Sequence, residues 1–112
     1  MFSSFLMYSN HYKDTFMLKI DFQKGTYEIK GDLVQENSNN LRTYFKTILQ
    51  HDSKIVVSLK SVTKMDNYVL DVFIELYKMA LATGKKFRVL KNVDKSLLWI
   101  LKDPRLKSLL KS

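Results

Sequence analysis

The feature that most constrains the fold is a change of hydrophobic period along the chain. Between residues 17 and 30, apolar residues recur at every second position, which is the spacing of a half-buried strand. From Leu41 onward, stretches with helical spacing alternate with short apolar runs. Strand–helix–strand units of this kind form parallel sheets through right-handed crossovers. The order of patterns therefore predicts an α/β domain.

Four segments carry a strand pattern. Residues 17–22 and 26–30 alternate apolar with polar side chains and are separated by a turn containing Gly25, which indicates an antiparallel hairpin. Residues 55–59 and 87–90 are short apolar runs, typical of strands covered on both faces. We therefore predict a mixed, mostly parallel four-stranded sheet with an N-terminal antiparallel hairpin.

Two helices are predicted between these strands. Asn37 and Ser38 offer side-chain oxygens that can cap the first helix, whose apolar stripe runs over residues 41–49. Asp66 and Asn67 precede the longest helical pattern. That helix is expected to end at Gly84, because glycine adopts the left-handed conformation at little cost.

The C-terminal part of the chain predicts one or two further helices. Asp94 can cap a third helix that runs through Leu101 and is closed by Asp103 and Pro104. Leucines in residues 106–110 indicate a final turn or short helix. The fold is thus expected to contain three to four helices.

The length of 112 residues fits one domain, and 46% hydrophobic residues suffice for one core. Residues 17–112 are predicted to form this domain, with residues 1–16 as an N-terminal extension or an added strand. We see no secretory signal and no run of about 20 apolar residues that would span a membrane. These absences predict a soluble, cytoplasmic protein.

Patterns that indicate catalysis or cofactor binding are missing. Cysteine is absent, and the three glycines are too far apart for a phosphate-binding loop. The two histidines, His11 and His51, have no carboxylate at metal-ligand spacing. Asp71 and Glu75 lie one helical turn apart on the solvent side, which favours a surface pair over an acid/base dyad. We therefore expect no enzyme activity, no cofactor and no metal.

The positive charge is concentrated after Gly84, where nine of the 19 basic and two of the 11 acidic residues lie. The basic residues are Lys85, Lys86, Arg88, Lys91, Lys95, Lys102, Arg105, Lys107 and Lys111. They form a solvated face, or a surface for an acidic protein or an anionic membrane. Nucleic acid is the weakest option, because Phe87 and Trp99 sit in apolar runs. Trp99 would suit a membrane interface if it faced outward, but its neighbours Leu98 and Leu101 favour the core.

The segment of residues 55–106 begins Ile-Val-Val-Ser-Leu-Lys-Ser-Val-Thr-Lys-Met-Asp-Asn-Tyr-Val-Leu, continues as a long helix and resumes with Gly-Lys-Lys-Phe-Arg-Val-Leu-Lys-Asn. It resembles the STAS domain family, which includes the bacterial anti-sigma factor antagonists. Gly31, Asp32 and Leu33 and the first predicted helix also fit, in the same order. The resemblance implies a STAS-like fold and a domain that acts by binding another protein.

In this family the loop before the second helix typically reads Asp-Ser-Ser-Gly or Asp-Ser-Thr-Gly, and a partner kinase phosphorylates the second hydroxyl residue. The matching residues here are Asp66, Asn67, Tyr68 and Val69. Asp66 is retained and can cap the helix that follows. Tyr68 stands in the phosphoacceptor position, so the Ser/Thr phosphoswitch is expected to be lost. Its ring either anchors an interface or packs against the neighbouring helix.

The resemblance implies a non-catalytic regulator that docks on an anti-sigma-type ATPase or kinase through this loop and helix start. The predicted partner-binding residues are Ser61, Thr63, Lys64, Asp66, Asn67, Tyr68 and Val69. Two alternatives stay open: an accessory subunit bound to the ATPase of a lipid-transport ABC system, and a basic module that docks on a membrane surface. The resemblance also leaves a homodimer open. Members of the family often carry further structure after the last leucines seen here, and a sheet or final helix that is short by comparison would favour self-association.

Overall fold

A computed structural model describes the backbone of residues 3–8 and 17–111, with side chains from Leu18 onward. Its six strands form one sheet in chain order. They are β1 (Ser3–Tyr8), β2 (Met17–Gln23), β3 (Thr26–Gly31), β4 (Lys54–Ser61), β5 (Lys86–Leu90) and β6 (Leu110–Lys111). The first three strands are antiparallel, and β3 to β6 are parallel. The predicted α/β class and mixed sheet are confirmed, with β1 and β6 added to the four predicted strands.

The hairpin between β2 and β3 turns on two residues with positive φ, Lys24 at 53° and Gly25 at 79°. Two successive left-handed residues give a turn whose twist matches that of the flanking strands. The turn therefore sets the register in which Ile20 faces Ile29. Both side chains are fully buried on the same side of the sheet.

Two α-helices connect the parallel strands: α1 (Gln35–Leu49) and α2 (Asn67–Ala82). Alternate residues of β2 to β5 join the apolar faces of both helices in one buried cluster. Phe45 of α1 lies at its centre, with its ring edge-to-face against Phe87 of β5 at 5.7 Å and against Tyr27 of β3 at 5.6 Å. Both helices thus cover one face of the sheet, and the opposite face carries the polar residues of the strands.

The predicted N-cap of α1, Asn37 or Ser38, is wrong by three or four residues. The helix begins at Gln35, and Val34 at the N-cap makes no side-chain hydrogen bond. Asn37 lies inside the first turn, where it is buried and its amide nitrogen donates to the Asp32 carbonyl at 2.8 Å. Asn37 therefore joins the helix to the preceding loop instead of capping it.

The third predicted helix is present, with Asp94 as its N-cap and Asp103 as its C-cap, but the final turn predicted over residues 106–110 is only partly helical. Lys95–Lys102 and Pro104–Leu106 are 3₁₀ helices, and Leu110–Lys111 form β6 beside β5. Leu97 and Ile100 are the buried pair of the first segment, and their spacing of three residues is the 3₁₀ period. Leu110 and Lys111 are extended because the outer edge of β5 would otherwise leave its backbone N–H and carbonyl groups unpaired. Instead the Val89 N–H donates to the Leu109 carbonyl at 3.1 Å.

In the described part of the chain, neither α-helix combines the length and the hydrophobicity needed to cross a membrane. The end of α2 follows the prediction: Gly84 has a φ of 71° and lies just after the C-cap residue Thr83. The Lys85 N–H then donates to the Ala80 carbonyl at 2.7 Å, which pairs one of the last carbonyls of the helix.

Candidate functional site

The loops that lead into α1 and α2 are bonded to each other. The Leu33 N–H donates to the Lys64 carbonyl at 2.9 Å, and the Asp66 N–H donates to the Leu33 carbonyl at 3.0 Å. Leu33 and Met65 form a parallel bridge between these bonds. The pairing holds the N-termini of two helices side by side, although more than 30 residues separate them in sequence.

Asp66 fixes both helix starts with one carboxylate. Its Oδ1 accepts from the Val69 N–H at 3.2 Å, which confirms the predicted cap of α2. Its Oδ2 accepts from the Gln35 N–H at 2.8 Å, so the same side chain also caps α1. A negative charge at two helix N-termini is favoured by both helix dipoles. Asp66 is therefore a positioning residue for the whole loop region.

Tyr68 projects into solvent from the first turn of α2. Its side chain is 57% exposed, whereas Val69 beside it is fully buried. Of the two interpretations of this ring, the structure supports an exposed aromatic side chain and not one packed against the neighbouring helix. A large aromatic ring held on a fixed helix start is the kind of group that anchors a protein interface.

The other predicted contact residues are divided between surface and core. Ser61, Thr63, Lys64 and Asn67 are exposed, while the side chain of Val69 belongs to the core. The Ser61 hydroxyl donates to Glu28 Oε2 at 2.6 Å, which ties the end of β4 to β3. The site therefore has a polar loop on one side and Tyr68 on the other.

The first 3₁₀ helix lies against this loop and extends its surface. The Ser96 hydroxyl donates to the Thr63 carbonyl at 3.1 Å, and Arg105 forms an ion pair with Asp71 of α2 at 3.2 Å. In sequence, Leu98 and Trp99 lie between Ser96 and Arg105, and they are 50% and 42% exposed. We call the surface formed by Ser61, Thr63, Lys64, Asn67, Tyr68, Leu98 and Trp99 the docking edge.

The prediction that Trp99 belongs to the core is wrong. In a helix with three residues per turn, Leu97 and Ile100 point inward and the residues between them point away from the core. The prediction rested on the apolar neighbours Leu98 and Leu101, but Leu98 is itself exposed and Leu101 is half-buried. Leu97 and Ile100 mark one apolar face, and Leu98 and Trp99 lie off that face in an α-helix as well as in a 3₁₀ helix.

Ion pairs and caps hold the 3₁₀ segments in place. The Arg105 guanidinium hydrogen-bonds to Asp103 at 2.9 Å, which raises the pKa of Arg105 and lowers the pKa of the Asp103 carboxyl. The pKa of Asp94 is lowered by hydrogen bonds from the Ser96 hydroxyl and N–H. Both carboxylates therefore stay ionised near neutral pH and keep their contacts.

Glu75 and Asp71, the carboxylates one turn apart on α2, contact different neighbours. Glu75 pairs with Arg42 at 3.0 Å and with Lys46 at 3.6 Å, which joins α2 to α1. Asp71 pairs with Arg105. Each carboxylate thus has a structural ion pair on the surface.

The nine basic residues after Gly84 do not form one surface. Arg105 is neutralised by its carboxylate neighbours, and Lys85 hydrogen-bonds to the Leu49 carbonyl at the end of α1. Lys95 is exposed at the start of the first 3₁₀ helix. The others divide between two grooves: Lys86, Arg88 and Lys111 line one on the open face of the sheet, and Lys91, Lys102 and Lys107 line one beside the 3₁₀ helices.

Across residues 18–111, no three His, Asp or Glu side chains come close enough together to hold a metal ion. His51 is exposed in the turn after α1, and His11 lies outside the described residues.

Comparison with known proteins gives a family and a fold. A family model described as "Mlab, STAS domain" matches residues 16–110. The NMR structure of the protein TM1081 superposes with a TM-score of 0.64 at 18% identity, covering 82% of this chain and 76% of that chain. At that identity the likeness shows the fold alone. No curated protein matches the sequence.

Proposed function

The chain belongs to the STAS domain family, and on this premise we propose that it is a regulatory domain that binds a partner protein through the docking edge. Domains of this family are generally non-catalytic binding domains. The observation that carries the proposal is Tyr68, which stands 57% exposed on the first turn of α2 at the position of the family's phosphoacceptor.

The docking edge is preorganised, which favours binding. Asp66 holds the starts of both helices, and Ser96 and Arg105 hold the 3₁₀ segments against the loop and α2. Little conformational entropy is then lost when a partner binds, so more of the contact energy contributes to affinity. Tyr68, Leu98 and Trp99 supply the large apolar contacts, and the exposed polar residues of the loop form a rim around them.

Binding at this edge is proposed to be independent of Ser/Thr phosphorylation. A phosphate adds about two negative charges and disrupts a surface that must lose its water on docking. Tyr68 offers no acceptor to a Ser/Thr kinase, so the partner would stay bound whatever the activity of such a kinase. We propose an ATPase as the partner, either a kinase of the anti-sigma type or the ATPase subunit of a transporter.

The proposal is tested by affinity capture from native lysate followed by titration of the recovered ATPase. We expect Tyr68→Asp to weaken binding by roughly 30-fold, which corresponds to a loss of about 2 kcal/mol for a hot-spot residue. Leu81→Asp is the matched control, because Leu81 is also 57% exposed but lies at the opposite end of α2. The control should bind within about twofold of wild type, as expected for a surface change away from the interface.

If Tyr68→Asp and wild type recover the same ATPase with equal affinity, the docking edge is not the interface. If wild type recovers an ATPase that Tyr68→Asp does not, the identity of that ATPase shows whether the partner is an anti-sigma-type kinase or a transporter subunit.

The exposure of Trp99 supports a second candidate function, docking on an anionic membrane surface. Tryptophan favours the membrane–water interface, and Lys95 and Lys102 flank this ring in sequence and are exposed. Trp99 is the single tryptophan of the chain, so its fluorescence reports directly on its surroundings.

We expect a blue shift of this emission on addition of vesicles containing phosphatidylglycerol, reversed by salt. Vesicles of phosphatidylcholine alone serve as the control. An emission spectrum unchanged by anionic vesicles at low salt would exclude this candidate.

A further inference from the structure

A second site lies on the face of the sheet opposite the helices, away from the docking edge. There the side chains of Lys54, Lys86, Arg88 and Lys111 line an open groove of about 440 Å³, together with Leu110. Three of these cations belong to the basic residues after Gly84, but Lys54 comes from β4 and was not among the residues predicted from sequence.

The strand register brings these charges together. Lys54 is the register partner of Lys86, and Val56 is the partner of Arg88, so Lys86 and Arg88 project from β5 on the same side as Lys54. Lys111 of β6 is the register partner of Leu90, which lies two residues beyond Arg88 on β5. Lys111 therefore projects on the same face as Arg88. The four side chains therefore converge from three adjacent strands.

These charges are not neutralised by carboxylates. No acidic residue lines the groove, and within the described residues none of its four cations forms an ion pair. The Arg88 guanidinium instead donates to the Ser108 carbonyl. The acidic residues of the open face, Asp21 and Glu28, line a different groove beside β2 and β3. Like charges that face each other across strands are destabilising, and a bound anion relieves that repulsion.

We propose that this groove binds an anion that carries one or more phosphate groups. An arginine guanidinium can donate two parallel hydrogen bonds to phosphate oxygens, and lysines add charge around it. The groove has room for an anion of the size of pyrophosphate. The same chemistry is offered by a free phosphate compound and by the phosphate of a lipid headgroup.

The site is separate from the docking edge. Lys54 begins β4 and Ser61 ends it, so these two residues are roughly 23 Å apart along an eight-residue strand, and no residue of the docking edge lines the groove. The protein can therefore hold the anion and a protein partner at the same time. A variant that loses anion binding can therefore still be tested for partner binding, and a variant that loses partner binding can still be tested for anion binding.

The test is a calorimetric titration of the full chain with inorganic pyrophosphate at low salt. We expect the double variant Lys54→Gln/Arg88→Gln to weaken binding at least tenfold. Lys30→Gln/Lys78→Gln removes the same charge from exposed positions outside the groove and should change affinity less than twofold. An equal loss in both double variants would overturn the proposal, because only net charge would then matter. Thermal unfolding midpoints confirm that each variant is folded.

A second arm distinguishes the two sources of phosphate. Co-sedimentation with phosphatidylglycerol vesicles that is lost in Lys54→Gln/Arg88→Gln but retained in Trp99→Ala identifies a lipid headgroup as the ligand. Groove-dependent binding of pyrophosphate without such sedimentation identifies a free phosphate compound. If the double variant changes neither pyrophosphate binding nor sedimentation, the groove is not an anion site.

Discussion

At the scale of single residues, Tyr27 shows how burial changes a side chain's chemistry. Its ring is 5% exposed and lies edge-to-face on Phe45. Burial raises the pKa of Tyr27 to about 12, and the negative charges of Asp52 and Tyr44 add to the shift. The fold thus favours the neutral phenol, because an ionised ring would be poorly solvated and repelled.

This shift predicts a loss of stability at alkaline pH. The pKa of Tyr27 in the folded state lies above the ordinary value of about 10, so its contribution is complete below pH 10 and is lost as the pH rises to about 12. Urea unfolding followed by circular dichroism between pH 9 and pH 12 measures the effect. Tyr27→Phe should flatten the fall in the free energy of unfolding.

Tyr68→Phe is the matched control, because it removes an exposed phenol from a different element. It should keep the alkaline dependence of wild type. An equally steep fall in Tyr27→Phe would show that other groups cause the alkaline loss.

At the scale of elements, the two helices depend on one carboxylate. Local sequence places Asp66 at the N-cap of α2, where it reaches the N–H three residues ahead. The bond to Gln35 requires the loops before both helices to be paired, as they are through Leu33. The geometry of the docking edge thus depends on α1, on α2 and on the paired loops that precede them.

We expect Asp66→Ala to lower the free energy of unfolding by roughly 2 kcal/mol, since each lost cap costs about 1 kcal/mol. Asp66→Asn keeps one carbonyl oxygen and can cap one helix, so it should lose about half as much. Asn67→Ala changes the exposed neighbouring residue and should stay within about 0.5 kcal/mol of wild type. Urea unfolding monitored by circular dichroism measures all three variants.

Equal stability of Asp66→Ala and Asp66→Asn would contradict the double cap, because it would mean that the second oxygen contributes nothing. A loss confined to α2, seen as amide exchange that speeds up there and not in α1, would also contradict it.

At the scale of the whole molecule, the order of the sheet separates two surfaces. The strands follow one another in chain order, and both helices cover the same face. The loops after the parallel strands therefore gather the docking edge at one end, whereas the starts of β4 and β5 bring Lys54 and Lys86 together at the other. The docking edge and the cationic groove therefore share no residue.

Much of the fold could be predicted from sequence because it depends on neighbours along the chain. The alternation around Ile20 and Ile29 and the helical stripe of α2 follow from periods of two and 3.6 residues. Asp66 capping α2 was also predictable, since the cap acts over three residues. The family resemblance was visible for the same reason, because it rests on the order and spacing of these local patterns.

Tertiary structure alone decided the features that join distant residues. The bond from Gln35 to Asp66 spans 31 residues, and no local pattern predicts it. Trp99 faces solvent because another face of its segment packs against the core, and Lys54 joins Lys86 because of strand register. Local sequence sets which conformations each segment prefers, whereas register and packing are settled only when the whole core closes, since each contact depends on all the others.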